Sequence, residues 1–355
     1  MKFLVQALNL PLMLIYALSL IVPKNKNLIL VGEWGGDLKE DNAVCLGKLL
    51  NSHRQFRVVF ISNGHPDEAS KIIKAHSLKS YWLHLRAAIF IVGSGKKDVV
   101  YPFVTSRSLL INAWHGLPIK KIHKMVKSNS ISVRIRDALM PFYDETPDYI
   151  ISTSAFASIM EDAFHPRVGV IKMPQPRWIR GENPCYKEEK VFLYSPTFRD
   201  NNRGFFPLSE EELLIIDDYL LKKNLPSLLI TLHPVCTYFN NNLYKKVKFI
   251  NLREINVYKH IFPNTVCVIS DISSVLIEAS YFSIPTYIYF PDMDDYISNS
   301  RDIISSVFDK YCVNKRDEFL QIIDESMSLK YEYKHFVTDD FSSYLTSVCK
   351  LIEEI

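Results

Sequence analysis

The sequence predicts an α/β protein of two doubly wound domains, each built on a parallel β-sheet. Short apolar, β-branched runs bounded by turn residues alternate with stretches of helical pattern, which is typical of βαβ units. A proline-rich stretch interrupts this alternation once, and the alternation then restarts. The chain has 355 residues, of which 48% are hydrophobic and 23% charged, enough for two such domains with sizeable cores.

The first 25 residues form a separate apolar segment. Between Phe3 and Val22 the only residues that are not apolar are Gln6, Asn9, Pro11 and Ser19. Such a segment fits a helix lying on a membrane, a helix spanning the bilayer, or a secretory signal. Pro11 and the polar residues weaken the spanning interpretation, and unpaired cysteines weaken the secretory one. We therefore expect residues 1–25 to associate a peripheral, monotopic protein with the cytoplasmic face of the cell membrane.

Residues 26–177 are predicted to form the first domain. Its strands are the apolar runs Leu28 to Val31, Arg57 to Ile61, Ala88 to Val92, Leu109 to Ile111, Tyr149 to Ile151 and Val168 to Ile171. Helical stretches lie between several of these runs, which favours a parallel sheet with crossover helices.

A second domain, residues 178–355, follows a connector that runs from Met173 to Pro184. The connector contains three prolines, which block both a helix and a central strand. The strands predicted beyond it are Val191 to Tyr194, Leu228 to Leu232, Phe249 to Leu252, Val266 to Ile269 and Thr286 to Tyr289. Two domains joined by such a hinge predict a ligand cleft between them.

The overall net charge of +3 gives no argument for a nucleic-acid partner, and we expect none. Between Asp98 and Asp137 there is no acidic residue, whereas the basic residues in that interval are Arg107, Lys120, Lys121, Lys124, Lys127, Arg134 and Arg136. One locally basic surface of this kind suits anionic lipid headgroups or a phosphorylated acceptor. The simpler alternative is a solvated helix face, which would normally carry both signs of charge.

The six cysteines are scattered, with no C-x-x-C pair and no cluster at zinc-ligand spacing. This pattern predicts a reduced, cytosolic setting and no structural metal. Cys267 lies within an apolar run and is most simply a small buried hydrophobic residue.

The stretch from Asn112 to Lys121, reading NAWHGLPIKK, places a histidine just after an apolar run. The apolar run predicts a strand end, and Gly116 with Pro118 predicts a tight turn. Because ligands bind at the carboxyl ends of parallel strands, His115 beside Lys120 indicates a site that handles an anion. A core-edge histidine next to solvated lysines is the alternative.

Polar groups recur at the predicted carboxyl ends of the second-domain strands. They are Thr197, Arg199 and Asp200 after the first strand, His233 after the second, Ser270 to Ser274 after the fourth and Asp292 after the fifth. Ser273 and Ser274 at a helix start fit an ordinary helix cap, for which serine is a preferred residue, and they also fit a phosphate site. Glu278 lies one turn along the same helix face, where it could accept hydrogen bonds from ribose hydroxyls. Arg199 suits a phosphate, unless it only pairs with Asp200.

These residues resemble the motifs of the bacterial CDP-glycerol glycerophosphotransferases, which build teichoic acids and related phosphopolyol capsules. The motifs are Gly36 through Asp41-Asn42, Trp114-His115-Gly116-x-Pro118-x-Lys120, Ser195-Pro196-Thr197-x-Arg199-Asp200, Leu232-His233-Pro234 and Ser270-Asp271-x-Ser273-Ser274-Val275. The resemblance covers most of the chain from about Gly32 onward. It implies a GT-B-like fold, with an N-terminal Rossmann-like acceptor domain facing a C-terminal Rossmann-like CDP-donor-binding domain across a cleft.

The resemblance also implies a reaction, the transfer of glycerol phosphate from CDP-glycerol to a hydroxyl of a membrane-linked glycan or polyol-phosphate acceptor, with release of CMP. In this interpretation His115 is the general base and His233 stabilises the donor phosphates, and an exchange of their roles stays open. The substrate-binding residues are then Thr197, Arg199, Ser273 and Ser274 on the pyrophosphate, Glu278 on the ribose, Asp271 orienting the polyol or a histidine, and Gly116 with Lys120 in the motif around His115.

The chain departs from the family pattern at the hinge and near the donor site. Where the family usually has Gly-x-Pro-Arg-Asn-Asp, this chain has the segment 174–179, reading PQPRWI, and the usual Arg-Gly after Tyr296 is missing. CDP-ribitol or another CDP-polyol therefore stays open as the donor. The alternatives of another class are a GT-B nucleotide-sugar glycosyltransferase and a non-catalytic, membrane-bound binding protein.

The expected partners are CDP-glycerol or a related CDP-polyol, a lipid-linked anionic acceptor and the cytoplasmic membrane surface. No carboxylate cluster compels a divalent metal, so we expect no required cofactor, while assistance by Mg²⁺ stays open.

Overall fold

The computed structural model describes residues 2–126, 135–136, 139–179, 189–197, 206–232, 243–251, 257–294, 296, 303–311 and 314–354. The chain forms two compact units. The first unit comprises Met1–Gly116, Ile122–Arg177 and Thr338–Ile355, and the second comprises Leu117–Lys121 and Trp178–Val337. The α-helices, in chain order, are α1 Lys2–Ile21, α2 Asn42–Asn51, α3 Leu78–Arg86, α4 Ala157–Phe164, α5 Glu210–Lys222, α6 Val257–His260, α7 Ser274–Tyr281, α8 Ser305–Tyr311, α9 Phe319–Ser328 and α10 Thr338–Glu353.

The first unit contains a seven-stranded parallel sheet. Its strands are β1 Asn25–Gly32, β2 Arg57–Ser62, β3 Ile72–Lys74, β4 Ala87–Val92, β5 Leu109–Asn112, β6 Tyr149–Ser152 and β7 Gly169–Lys172, and they lie in the order β3-β2-β1-β4-β5-β6-β7. In the register, Ile29 of β1 pairs with Val58 of β2 on one side and with Ile89 of β4 on the other. Every residue of β4 is buried, as expected for a parallel strand covered on both faces.

The second unit contains a five-stranded parallel sheet. Its strands are β8 Val191–Ser195, β9 Ser227–Leu232, β10 Val247–Asn251, β11 Thr265–Ser270 and β12 Thr286–Ile288, in the order β10-β9-β8-β11-β12. Phe192 and Tyr194 of β8 are fully buried in an aromatic core, which also receives the apolar face of α5.

Both sheets have the strand order of a doubly wound fold. The order reverses between β1 and β4 in the first unit, and between β8 and β11 in the second. Ligands of such sheets bind outside the carboxyl ends of the strands at this switch point. The loops after these four strands are therefore where candidate site residues are expected.

Helix α1 packs on the first unit. Ser19 is fully buried and donates a hydrogen bond to the carbonyl oxygen of Phe103 at 2.8 Å, and Lys24 Nζ donates to Ser19 Oγ at 2.9 Å. Arg107 donates to the carbonyl oxygen of Leu20 at 2.8 Å, where a cation stabilises the helix C-terminus. Across the described ranges, no helix combines the length and apolar character needed to cross a bilayer.

The last helix, α10, belongs to the first unit, whereas the sequence-based boundary assigned everything from 178 to 355 to the second domain. The difference arises because α10 packs against α2 and buries one apolar face, formed by Phe341, Leu345, Val348 and Ile352. The amphipathic pattern of α10 predicts that this face is covered, but it carries no information about which unit covers it.

The strands predicted from apolar runs are confirmed, with ends that coincide or differ by up to three residues. The exception is β3, which was not predicted. It is a three-residue edge strand whose residues are only partly buried or exposed, so it lacks the apolar run that marks the other strands. The helix predicted to start at Ser273 and Ser274 corresponds to α7.

Candidate functional site

The loops after β8 and β11 meet at the switch point of the second unit. The main-chain N–H and Oγ1 of Thr197 both donate to Oδ1 of Asp271, at 2.9 and 2.6 Å. Asp271 is fully buried, and its Oδ1 also accepts the N–H of Ile272 at 2.6 Å. The structure thus brings two predicted site residues together, and the Asp271 carboxylate orders both loops.

Helix α7 begins at the end of the same loop. Ser273 is its N-cap, with Oγ accepting the N–H of Val275 at 3.4 Å, so the simpler role considered for this serine is observed. Ser274 is the first residue of the helix, and its hydroxyl has no partner within the described ranges. The N–H groups of Val275 and Leu276 are used within this first turn, by Oγ and the carbonyl oxygen of Ser273, so the Ser274 hydroxyl at the positive end of the helix is the group open to an anion.

Glu278 lies one turn further along α7 and is fully buried. Its Oε2 accepts a hydrogen bond from Nε1 of Trp178 at 2.9 Å. The indole of Trp178 packs against Tyr281 and Phe336 and is itself 2% exposed. Glu278, which was predicted to bind ribose, is therefore hydrogen-bonded in this structure to Trp178, the residue at which the chain enters the second unit.

Lys120 lies in the second unit, not with His115. Its Nζ donates to the hydroxyl of Tyr296 and lies 5.0 Å from the centroid of that ring. The main chain of Lys120 forms an antiparallel bridge with Ile303. Gly116 is the last residue before the chain enters this unit.

The basic residues predicted to form one surface are divided between the units. Lys120 and Lys121 belong to the second unit, whereas Arg107, Lys124 and Arg136 belong to the first. The short segment Leu117–Lys121 belongs to the second unit, so these residues come from both units, and the single basic surface stays a prediction. Two of the seven residues, Lys127 and Arg134, lie outside the described residues.

His115 follows β5 in the first unit. Asn112 Oδ1 accepts the N–H of Trp114 at 2.8 Å, which turns the chain at the strand end. The imidazole centroid lies 4.0 Å from the indole of Trp114 and 5.2 Å from that of Trp34. Nδ1 of His115 is buried and has no hydrogen-bond partner among the described residues. Burial lowers the pKa of His115, so the ring is held neutral with one nitrogen unused.

Asn42 connects the regions of the first unit that the sequence singled out. Its Nδ2 donates to the carbonyl oxygen of Trp114 at 2.7 Å and to Gln175 Oε1 at 2.5 Å. Its Oδ1 accepts the main-chain N–H of Arg177 at 3.1 Å. The Asp41-Asn42 motif, the motif around His115 and the retained Pro-Arg of the connector therefore form one network.

Two buried carboxylates order the switch-point loops of the first unit. Glu33, after β1, accepts main-chain N–H groups of Lys39, Asp41 and Val44 at 2.6 to 3.0 Å. Burial, with the charge of Asp41, raises the pKa of Glu33 to about 7. Asp98 Oδ2 accepts the N–H groups of residues 93–95 in the loop after β4, so the protein's own carboxylate fills this potential anion site.

A cavity of about 470 Å³ lies at the carboxyl end of β12. Its charged lining is mixed, with Asp292, Asp294 and Asp317 facing Lys315 and Arg316. Arg316 is paired with Glu325 at 2.8 Å. This mixture does not favour a doubly charged phosphate over other ligands.

Two predicted site residues, Arg199 and His233, lie outside the described residues. Within the described ranges, no group of three or more His, Cys, Asp or Glu side chains is placed to hold a metal ion. Cys267 is fully buried, as predicted, and burial raises the pKa of its thiol to about 12.

The chain is similar to known proteins in both sequence and fold. The family model for CDP-glycerol:poly(glycerophosphate) glycerophosphotransferase matches residues 14–344. A teichoic acid poly(glycerol phosphate) polymerase of Bacillus spizizenii is 23% identical over 312 residues, which cover 79% of this chain and 78% of the relative. The teichoic acid ribitol-phosphate polymerase TarK of Staphylococcus aureus is 33% identical over 123 residues, which cover 33% of this chain and 23% of the relative.

Among solved structures, the wall teichoic acid polymerase TagF has a similar fold. It superposes with a TM-score of 0.66 at 18% identity, over 99% of this chain and 96% of that chain. A variant of TagF with one histidine replaced by asparagine, solved after a soak with CDPG, gives a TM-score of 0.65 at 16% identity over the same shares of the two chains.

Proposed function

The chain belongs to the CDP-glycerol:poly(glycerophosphate) glycerophosphotransferase family, and on this premise we propose that it transfers glycerol phosphate from CDP-glycerol to a hydroxyl of a lipid-linked, anionic acceptor. The product is a polyol phosphate of a teichoic-acid-like or capsule polymer, and CMP is released. The observation that carries the proposal is the start of α7, where the Ser274 hydroxyl, without a partner in the described part of the chain, lies at the switch point of the second unit.

On the donor side, the pyrophosphate binds at this helix start. Ser273 and Ser274 contact the phosphate oxygens, and Thr197 lies at the neighbouring strand end. Arg199 and His233 supply positive charge to the same phosphates, by resemblance to the family. Asp271 acts by holding Thr197. Glu278 is assigned to the ribose by resemblance to the family alone, since in this structure its carboxylate is fully buried and bonded to Trp178.

On the acceptor side, His115 acts as the general base. The acceptor oxygen attacks the phosphorus that carries the glycerol, the bond from that phosphorus to the CMP oxygen breaks, and the hydroxyl proton passes to the imidazole. A histidine with a lowered pKa is neutral at physiological pH, so its ring can accept this proton without prior deprotonation. Lys120 and Gly116 belong to the substrate-binding part of the same motif, with Lys120 on the donor unit.

A GT-B-like arrangement, in which the two units face a common cleft, is part of this proposal. It is supported by the doubly wound strand order of both sheets, which gives each unit a ligand edge of its own. No cofactor is required in this mechanism, and Mg²⁺ could assist by neutralising the pyrophosphate.

We also propose that α1 holds the protein on the cytoplasmic face of the cell membrane. The residues on its exposed side are apolar and recur at helical spacing, namely Leu10, Met13, Leu14, Leu18 and Ile21. Sedimentation with vesicles of anionic phospholipid tests this, and a Leu10→Ser/Leu14→Ser/Leu18→Ser variant that still sediments like the unaltered protein contradicts it.

The second candidate is transfer of ribitol phosphate from CDP-ribitol. It is favoured by the segment-wise similarity to ribitol-phosphate polymerases, at 31% to 33% identity. The first candidate is favoured by the longer alignment with the poly(glycerol phosphate) polymerase and by the structural match to TagF, a variant of which was soaked with CDPG.

One experiment separates these candidates. The purified protein is incubated with a lipid-linked acceptor and, in parallel, CDP-glycerol, CDP-ribitol or a UDP-sugar, and the acceptor mass and CMP release are measured. We expect a mass increase of one or more glycerol phosphates, with one CMP per addition. If the acceptor mass instead increases by ribitol phosphate, the second candidate is supported. If only the UDP-sugar is turned over, both candidates are wrong.

A further inference from the structure

We propose that Trp34, Asp41 and Arg177 are positioning residues that clamp His115 at the end of β5 for proton transfer. This inference rests on the proposed function, because it concerns the proton-accepting group of that reaction. It goes further by assigning roles to three residues that sequence analysis had not counted among the site residues.

Arg177 forms the centre of the clamp. One of its terminal nitrogens donates both to Asp41 Oδ1 at 2.8 Å and to the carbonyl oxygen of His115 at 2.9 Å. Arg177 is 5% exposed and Asp41 is 8% exposed, so this ion pair is shielded from solvent. The guanidinium therefore ties the main chain at His115 to a fixed carboxylate.

Trp34 joins the same carboxylate to the imidazole itself. Its Nε1 donates to Asp41 Oδ2 at 2.9 Å, while its ring faces the ring of His115. The imidazole of His115 therefore contacts two indoles, those of Trp34 and Trp114. A single carboxylate thereby fixes both the main chain and the ring environment of His115.

The backbone in this region is strained. Trp34, Gly35 and Gly36 have φ angles of 50°, 65° and 96°, and Trp114 has a φ of 42°. A left-handed conformation is unfavourable for the two tryptophans, because it brings Cβ close to the following carbonyl oxygen, whereas the glycines adopt it freely. Such conformations persist where the surroundings impose them, and they cluster at functional sites. Trp34 is also 46% exposed, so burial of its indole does not account for this strain.

Stability alone is a weak explanation for the clamp. A buried Asp–Arg pair is often no more stabilising than well-packed apolar residues, because both charges lose their hydration. The charges that face His115 oppose one another, since Asp41 and Asp98 raise its pKa and Arg177 lowers it. The clamp thus fixes the position of the ring and contributes to its basicity.

The test uses three variants of the full-length protein. Asp41→Asn removes the charge, Arg177→Lys keeps the charge but removes the guanidinium, and Trp34→Phe keeps a ring but removes the N–H. The readouts are kcat and KM for CDP-glycerol, the pH profile of kcat, and the titration of the His115 ring followed by NMR. Asp37→Asn is the matched control, because Asp37 lies in the same loop, is mainly exposed and pairs only with Lys39 at 3.5 Å within the described structure.

We expect kcat to fall about tenfold or more in each variant while KM for the donor changes less than about threefold, since positioning affects the transition state more than donor binding. In Asp41→Asn the His115 titration and the acidic limb of the pH profile move to lower pH, because a charge that raises the pKa is gone. In Arg177→Lys the titration stays close to that of the unaltered protein, although kcat falls.

A merely structural role predicts a different result, in which thermal stability falls but kcat per folded molecule and the His115 titration match the Asp37→Asn control. That result overturns the inference. If the unaltered protein releases no CMP from any CDP-polyol, the proposed function fails instead. The NMR titration then still decides whether Asp41 and Arg177 govern the His115 ring.

Discussion

Two histidines of the first unit, His84 and His115, both have a pKa lowered by burial, but their rings have different hydrogen-bond partners. His84, on α3, is fully buried; its Nδ1 lies 2.7 Å from the carbonyl oxygen of Ser80, and its Nε2 accepts the N–H of Val100 at 3.2 Å. His115, after β5, has a buried Nδ1 without a partner in the described part of the chain. Burial lowers the pKa of both rings, and that of His84 falls to about 4.

The difference shows that a lowered pKa does not by itself indicate a catalytic group. Burial keeps each ring neutral, but only the partners decide what a neutral ring can do. In His84 both nitrogens are used, Nδ1 with Ser80 within α3 and Nε2 with the N–H of Val100 after β4, so the ring is structural. In His115 one nitrogen remains to accept a proton. The three side chains of the clamp, Trp34, Asp41 and Arg177, hold that residue in place.

The strongest way to break this comparison is the same substitution at both positions. We expect His115→Gln to lower kcat about 10³-fold, because a general base contributes about 10²–10⁴-fold and glutamine cannot take up the proton. The measurement is CMP release from CDP-glycerol, with the free energy of unfolding determined in urea for the same preparation.

His84→Gln is the matched control. We expect it to lower the free energy of unfolding by about 1–3 kcal/mol, because buried hydrogen-bonding groups lose well-placed partners, while kcat per folded molecule is unchanged. If the two variants lose turnover to the same degree, the distinction between a structural and a catalytic histidine is wrong.

Acid stability gives the next largest effect. A histidine whose folded pKa lies below its unfolded value of about 6.5 binds fewer protons in the folded state, so stability falls as the pH drops from 6.5 toward 4. For His84 the shift to about 4 predicts a loss of roughly 3 kcal/mol between pH 7 and pH 4. Urea unfolding across this range measures the loss.

His84→Gln should remove most of that pH dependence, because glutamine does not titrate. His65→Gln is the control, since His65 is exposed and its replacement should leave the slope unchanged. A variant that retains the slope of the unaltered protein shows that other groups, such as the carboxylates, dominate the acid response.

The outline of the fold could be predicted from the sequence because the central strands are apolar on both faces. Examples of such central strands are β8, Val191–Ser195, whose three middle residues are buried, and β4, which is buried throughout. The edge strand β3 escaped prediction because it is short and partly exposed. The placement of α10 on the first unit could not be predicted, since an amphipathic helix shows that it is covered but not by which partner.

The candidate site was predicted only in part, for a related reason. His115 and Ser274 stand at strand ends, and this local position can be recognised in a sequence. The clamp joins residues that are far apart in the chain, so no local spacing marks Trp34 or Arg177 as neighbours of His115. The paired glycines after Trp34 were the available signal, since they indicate a loop with positive φ angles.

The comparison of used and unused polar groups also applies to the two serines at the start of α7, where the expected effects are smallest. Ser273 Oγ is used as the helix cap, so Ser273→Ala should lower the free energy of unfolding by about 1 kcal/mol.

Ser274 Oγ has no partner within the described ranges, so Ser274→Ala should leave stability within about 0.5 kcal/mol of the unaltered protein. Its effect should appear instead as a rise of about tenfold or more in KM for CDP-glycerol, because one hydrogen bond to a charged phosphate is lost, about 1.5–3 kcal/mol. Ser280→Ala, on the same helix beyond its first turn, is the control for both measurements, and a rise in KM for that variant equal to that of Ser274→Ala would show that the helix start is not the donor site.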